Sequence, residues 1–230
     1  MKKYVTCGLL LLTTLFGSVM ANTYIVIYAT LNGRTGHAGI AIDNYQVQRL
    51  SNGKIDTVRD GTLTYYDLWP AEDDFSLARL TKDQPAQFYK LPSSIWPSAI
   101  TPASLFDAGI PHREFYPCDG LLMLRSAAAA DYRLKLYLNE VIRSGRPFNA
   151  RFYNCCDFVA DAVRELTGAD INAKEVILFG NSSTPNKLCR QLMTQPGTVV
   201  LKAPGDRIKG SFLEHKLLAP KPGPSFLASH

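Results

Sequence analysis

The chain has 230 residues, 46% of them apolar and 20% charged, and a formal net charge of +5. That length suits one domain with a sizeable core. The positive excess is concentrated in one segment, where Lys202, Arg207, Lys209, Lys216 and Lys221 face only Asp206 and Glu214, which argues against a global basic field for nucleic acid.

The first residues read as an address. Lys2 and Lys3 form a basic start, Val5 to Phe16 an apolar run too short to span a membrane, and Gly17-Ser18-Val19-Met20-Ala21 a small-residue site suited to cleavage after Ala21. Residues 1–21 are therefore expected to be a signal peptide. The mature chain is expected in the periplasm or outside the cell, where disulfides can form. Cys7 leaves with the leader, and Cys118, Cys155, Cys156 and Cys189 remain. With no C-x-x-C pair and no His cluster, nothing has zinc-ligand spacing.

Thr23 to Thr30 is β-branched and aromatic and predicts a buried strand. His37 to Asp43 predicts a second, with His37, Gly39 and Ala41 on one face and Ala38, Ile40 and Ile42 on the other. The His37 face is bare enough for another element to lie close, and the helix that begins at Cys155 is the obvious one. Gln46 to Leu50 and Lys54 to Val58 flank an Asn52-Gly53 hairpin signal. Asp60-Gly61 reads as a further turn before a strand from Thr62 to Trp69. A Pro-rich stretch near 70–118 reads as a loop-rich insertion, a lid, substrate wall or plain covering, with a short strand near Gln87 to Leu91 and a helical turn near Ser104 to Ala108.

Leu121 to Arg125 predicts a strand and Ala127 to Arg143 a helix closed by Gly145. Asn154 is a good N-cap, with Asp157 three residues on, and Phe158, Val159, Ala162, Val163 and Leu166 give the next helix one apolar face up to Gly168. Cys155 thus falls on the first turn, where free N–H groups and the helix dipole favour a thiolate. Glu175 to Phe179 is a short apolar segment, strand or helix end. Thr184-Pro185 starts a helix, Thr198 to Lys202 is a last strand, and beyond Gly210 the chain reads as extended.

A thiolate at a helix start needs an imidazole base and a third group to hold that imidazole. Only His37, His112, His215 and His230 are available, and His37 heads a strand beside small residues. Cys155-Cys156-Asp157-Phe158-Val159 resembles the C-x-x-F-V motif of NlpC/P60 cysteine hydrolases, and Gly36-His37-Ala38-Gly39-Ile40 is similar to their H-x-G-I strand. Here the histidine comes before the cysteine, an order that resembles the circularly permuted branch of YiiX-like and lecithin retinol acyltransferase-like proteins. Asn154-Cys155 with Phe158 is similar to the N-C-x-x-F pattern of that branch, and Thr184-Pro185 with Leu188 to its T-P-x-x-L helix start.

The resemblance implies an α+β, papain-like fold in permuted order, an antiparallel sheet packed against the helix that carries the cysteine. It would occupy residues 22–205, with a basic, Pro-rich tail over 206–230. It implies Cys155 as nucleophile and His37 as base. The third residue is Gln48 if the next strand follows directly, or Asp67 if the hairpin at Asn52-Gly53 is an insertion. Asp67 is preferred, because a carboxylate best stabilises an imidazolium. Cys156 is then a buried small residue or half of a disulfide, with one pair among Cys118, Cys156 and Cys189 open to bridging.

The implied activity is an exported thiol hydrolase of amide bonds that needs no cofactor or metal, with peptides, peptidoglycan among them, as substrate. The alternatives are an acyl-lipid hydrolase or acyltransferase, whose groove Trp69, Phe75, Ile95 and Trp96 would line, and a non-catalytic envelope binding module. The basic tail offers a peripheral membrane contact.

Overall fold

A computed structural model describes residues 20–31, 35–72, 77–92, 99–107, 117–177 and 180–217. Residues 1–19 of the expected leader lie outside these. Strand β1 (Met20–Tyr28) pairs antiparallel with β2 (His37–Arg49) on one side and with β5 (Gly120–Ala127) on the other. Its first residues belong to the expected leader, yet Ala21 pairs with Ser126 and is buried. β3 (Ile55–Pro70) and β4 (Ala86–Pro92) extend the sheet beyond β2, and β8 (Thr198–Lys202) closes the other edge beside β5. The order β4-β3-β2-β1-β5-β8 is antiparallel at every junction. The chain is therefore α+β. A separate hairpin joins β6 (Lys174–Ile177) to β7 (Gly180–Ser183).

Six helices accompany the strands among the described residues: α1 (Leu77–Leu80), α2 (Pro102–Asp107), α3 (Ala128–Ser144), α4 (Cys155–Thr167), α5 (Pro185–Met193) and α6 (Phe212–Leu217). One sheet face, with Ile25, Ile27, Ala38, Ile40, Ile42 and Leu68, packs against Leu134 and Leu138 of α3, Phe158, Val159 and Val163 of α4, and Leu188 and Leu192 of α5. The other face, with Tyr24, Val26, Ala41, Leu63 and Tyr65, is covered by Ile100 and by Leu105 of α2. Strand alternation divides the two cores. The insertion near 70–118 supplies α1, β4 and α2, so it contributes an edge strand and a covering element.

Three expectations are corrected. β2 runs unbroken from His37 to Arg49, and β3 passes through Asp60-Gly61 without a turn. Gly61 holds φ +83° inside β3, and the pairing slips between Asp43 and Tyr45. Thr62 N–H and Oγ1 both donate to Asp60 Oδ1, at 2.8 and 2.7 Å. The Asp-Gly signal encodes a bulge, which uses the same left-handed glycine as a turn. Second, α4 does not lie on the bare His37–Gly39–Ala41 face. It packs on Ala38, Ile40 and Ile42, and the space above Gly39 is filled by Tyr65, whose Oη would stand 2.1 Å from a Cβ at that position.

Third, residues 205–217 are docked, while 218–230 of the expected tail lie outside the described residues. A 3₁₀ turn (Gly205–Ile208) buries Ile208 in the helix-side core, α6 follows, and Phe212 is buried. Among the described residues no helix is long and apolar enough to cross a membrane.

Candidate active site

Asn154 fixes the start of α4 through a reciprocal capping box. Its Oδ1 accepts from the N–H groups of Cys156 at 2.8 Å and Asp157 at 3.3 Å, and Asp157 Oδ2 accepts from Asn154 N–H at 3.0 Å. Its Nδ2 donates to the carbonyls of Ala150 and Ser183, both at 2.9 Å. One side chain thus ties the preceding loop, β7 and the helix together. Cys155 is half-buried on the first turn. With the Cys156 and Asp157 N–H groups committed to the cap, the N–H of Cys155 is the one on this turn left to face a ligand.

His37 and Asp67 come together from β2 and β3. His37 Nε2 donates to Asp67 Oδ2 at 3.0 Å, and both side chains are shielded from water. The same oxygen accepts from Trp69 Nε1 at 2.8 Å and from Tyr65 Oη at 3.1 Å. Trp69 also stacks on the imidazole, with ring centroids 4.0 Å apart and planes 23° from parallel. The stacked indole and the hydrogen bond orient the ring, and Nε2 is committed to Asp67, which leaves Nδ1 for the thiol. Tyr65, Asp67 and Trp69 alternate along one strand face, the signal that would have found the two aromatic supports from sequence.

The electrostatics follow. Burial disfavours charge on His37, but the negative charge of Cys155 and the hydrogen bond to Asp67 outweigh it and raise the imidazole from 6.5 to about 9. Cys155 lies well below the ordinary thiol value. The hydrogen bond with Cys156 is the largest cause, burial opposes it, and the charge and hydrogen bond of His37 and the N–H of Ala38 add to it. Both shifts favour the thiolate–imidazolium form of the pair.

The other candidates lie elsewhere. Gln48 is exposed near the far end of β2, opposite Asp56, roughly 35 Å along the strand from His37. His215 engages the Lys209 carbonyl at 2.5 Å, and His112 and His230 lie outside the described residues. Trp69 holds the site instead of lining a groove. Phe75, Ile95 and Trp96 lie outside the described residues.

None of the pairs left open to bridging forms a disulfide: Cys118, Cys155, Cys156 and Cys189 are all free thiols. Cys118 sits in the core on one face of the sheet, Cys156 and Cys189 in the core on the other. Burial pushes Cys118 up to about 11 and Cys189 to about 12, so both are inert at neutral pH. The basic segment is partly engaged: Lys202 Nζ donates to the Phe106 carbonyl at 3.0 Å, Arg207 pairs with Asp119, and Lys209 with Asp206.

Beside the first turns of α4 opens a cleft of about 320 Å³, walled by Tyr153, Asp157, Asp161, Arg164 and Lys174, with Phe152 at its rim. Six of its thirteen lining residues are charged, and neither Cys155 nor His37 is among them. Among the described residues no three His, Cys, Asp or Glu side chains converge as metal ligands. Comparison of the chain with protein-family models, with curated proteins and with solved structures found no match.

Proposed function

We propose that the chain is an exported cysteine hydrolase of the permuted NlpC/P60 kind, which cleaves an amide bond in a peptide through a thioester on Cys155. The observation that carries this reading is the water-shielded His37–Asp67 pair facing a thiol on the first turn of a capped helix. An ion pair that served only stability would need no depressed thiol beside it.

The reaction needs only these groups. The Cys155 thiolate attacks the carbonyl carbon, and the negative charge moves to the carbonyl oxygen, held by the Cys155 N–H. His37 Nδ1–H protonates the leaving nitrogen as the C–N bond breaks, leaving a thioester and a neutral imidazole. Nδ1 then takes a proton from water, whose oxygen attacks the thioester. The C–S bond breaks, the acid leaves, and thiolate and imidazolium are restored. Asp67 accepts from Nε2–H and holds the ring.

The test is the pH dependence of Cys155 alkylation by iodoacetamide, read by peptide mass spectrometry, alongside hydrolysis of muropeptides and of phospholipid esters. The expected result is rapid alkylation well below the ordinary thiol midpoint of about 8.5, loss of that reactivity in His37→Ala, and release of peptide products. An inert or disulfide-bonded Cys155 overturns the reading. Ester cleavage without peptide cleavage would keep the nucleophile and reassign the substrate to acyl lipids.

A further inference from the structure

The reaction above leaves the second thiol of the pair unused. Cys156 is 1% exposed and packs within the helix-side core. Packing alone would be met by alanine or another small apolar residue. Its sulfur nevertheless lies 3.9 Å from that of Cys155, within S–H···S contact.

The direction of donation is set by what surrounds each sulfur. Cys155 faces His37 from β2, with Tyr65 and Asp67 of β3 behind the ring. Cys156 faces Asp157 on its own helix and Glu175 of β6. Burial first, then the hydrogen bond and charge of Cys155, and then these carboxylates push the Cys156 thiol up, while the imidazolium favours charge on Cys155. These surroundings favour Cys156 as the donor and Cys155 as the acceptor.

Oxidation of the pair to a disulfide is opposed by geometry. Neighbouring Cα atoms stand about 3.8 Å apart across a trans peptide, less than the roughly 4.4–6.8 Å that disulfides span. The first turn is also pinned by Asn154. The geometry therefore favours a hydrogen bond over a disulfide between the two sulfurs.

We propose that Cys156 is a positioning residue for the nucleophile: its buried thiol donates to the Cys155 sulfur, stabilising the thiolate and holding it toward His37. This rests on the reading of Cys155 as the nucleophile.

The test compares wild type, Cys156→Ala and Cys156→Ser by thermal melting and by the pH profile of Cys155 alkylation with iodoacetamide. Loss of the donor in Cys156→Ala is expected to move the acid limb up by about one pH unit, so that alkylation slows roughly tenfold at a pH below both midpoints. Cys156→Ser, which keeps a donor, is expected to recover most of that rate. Should Cys156→Ala melt too low to assay, Cys156→Val makes the same comparison with the space filled. An unchanged midpoint in the donor-less variant, whatever its melting temperature, overturns the proposal and leaves Cys156 as packing. A wild-type Cys155 that titrates near 8.5 overturns the nucleophile reading and this one with it, so the two failures are told apart by the wild-type curve alone.

Discussion

Asp67 Oδ2 takes three donors, from His37, Trp69 and Tyr65. Converging donors stabilise a carboxylate, and a carboxylate in contact with Nε2 stabilises the imidazolium. Asp67→Asn keeps the shape and removes the charge. Since the Asp67 contact raises His37, its neutralisation lowers that value. The alkaline limb of the pH–rate profile, expected near 9 in the wild type, then moves toward 6.5. Loss of the acceptor that holds the tautomer is expected to cost roughly 10²–10⁴ in kcat/KM. A profile with an unmoved alkaline limb would detach Asp67 from the reaction.

At this scale the site was legible in part. Cys155 and His37 followed from a cap and a strand start, both local patterns. Asp67 followed only once the hairpin was treated as separable, because its partner lies 30 residues away. The contact between Cys155 and Cys156 ran against a simple helical wheel, on which adjacent side chains diverge by about 100°. Sulfur is large and the first turn is held by its cap, so two side chains can diverge while their end atoms still touch.

Elements place these residues by what they leave empty as much as by what they fill. Gly39 carries no Cβ, and Tyr65 occupies that space, with Oη 2.1 Å and Cζ 2.6 Å from where the atom would be. Tyr65 is fully buried and holds Asp67, so it has nowhere to yield. Gly39→Ala is therefore expected to destabilise the fold by about 1–3 kcal/mol through overpacking and to displace Asp67. Urea denaturation would read the first effect, and a slower alkylation of Cys155 at low pH the second. A variant with wild-type stability and reactivity would mean that Tyr65 does not fix the carboxylate.

The same glycine shows why the bare strand face was misassigned. Alternation states which side chains share a face, not what covers it. The occupant here is a ring from the next strand, chosen by a pairing that places Ala41 opposite Tyr65. The ends of α3 and α4 and the start of α5 were read within about a residue, because caps and C′ glycines act within a few residues of the boundary.

Across the whole molecule, two cores share one sheet, and the chain closes over the helix-side core at its C-terminal end. Arg190 donates to the Ile208 and Gly210 carbonyls, and Arg207 pairs with Asp119. Asn186 Nδ2 donates to the Thr30 carbonyl and its Oδ1 accepts from Thr30 N–H at 2.8 Å, tying α5 to the end of β1. These partners are distant in sequence, so the segment from Lys202 onward looked like a soluble basic tail when counted by charge alone. Its apolar residues decide otherwise, since Ile208 and Phe212 are buried. Burying two such side chains is worth roughly 3–5 kcal/mol before the entropy of ordering the segment is subtracted. A chain ending at Pro204 is thus expected to be about 2–4 kcal/mol less stable than one ending at Leu217, as measured by urea denaturation of the two. It should also alkylate Cys155 with an unchanged midpoint, because no residue after 204 touches the thiol, the imidazole or Asp67 among the described contacts. Equal stability of the two chains would return residues 205–217 to the status of a tail. A shifted midpoint would mean instead that the docked segment holds the site in register through α5.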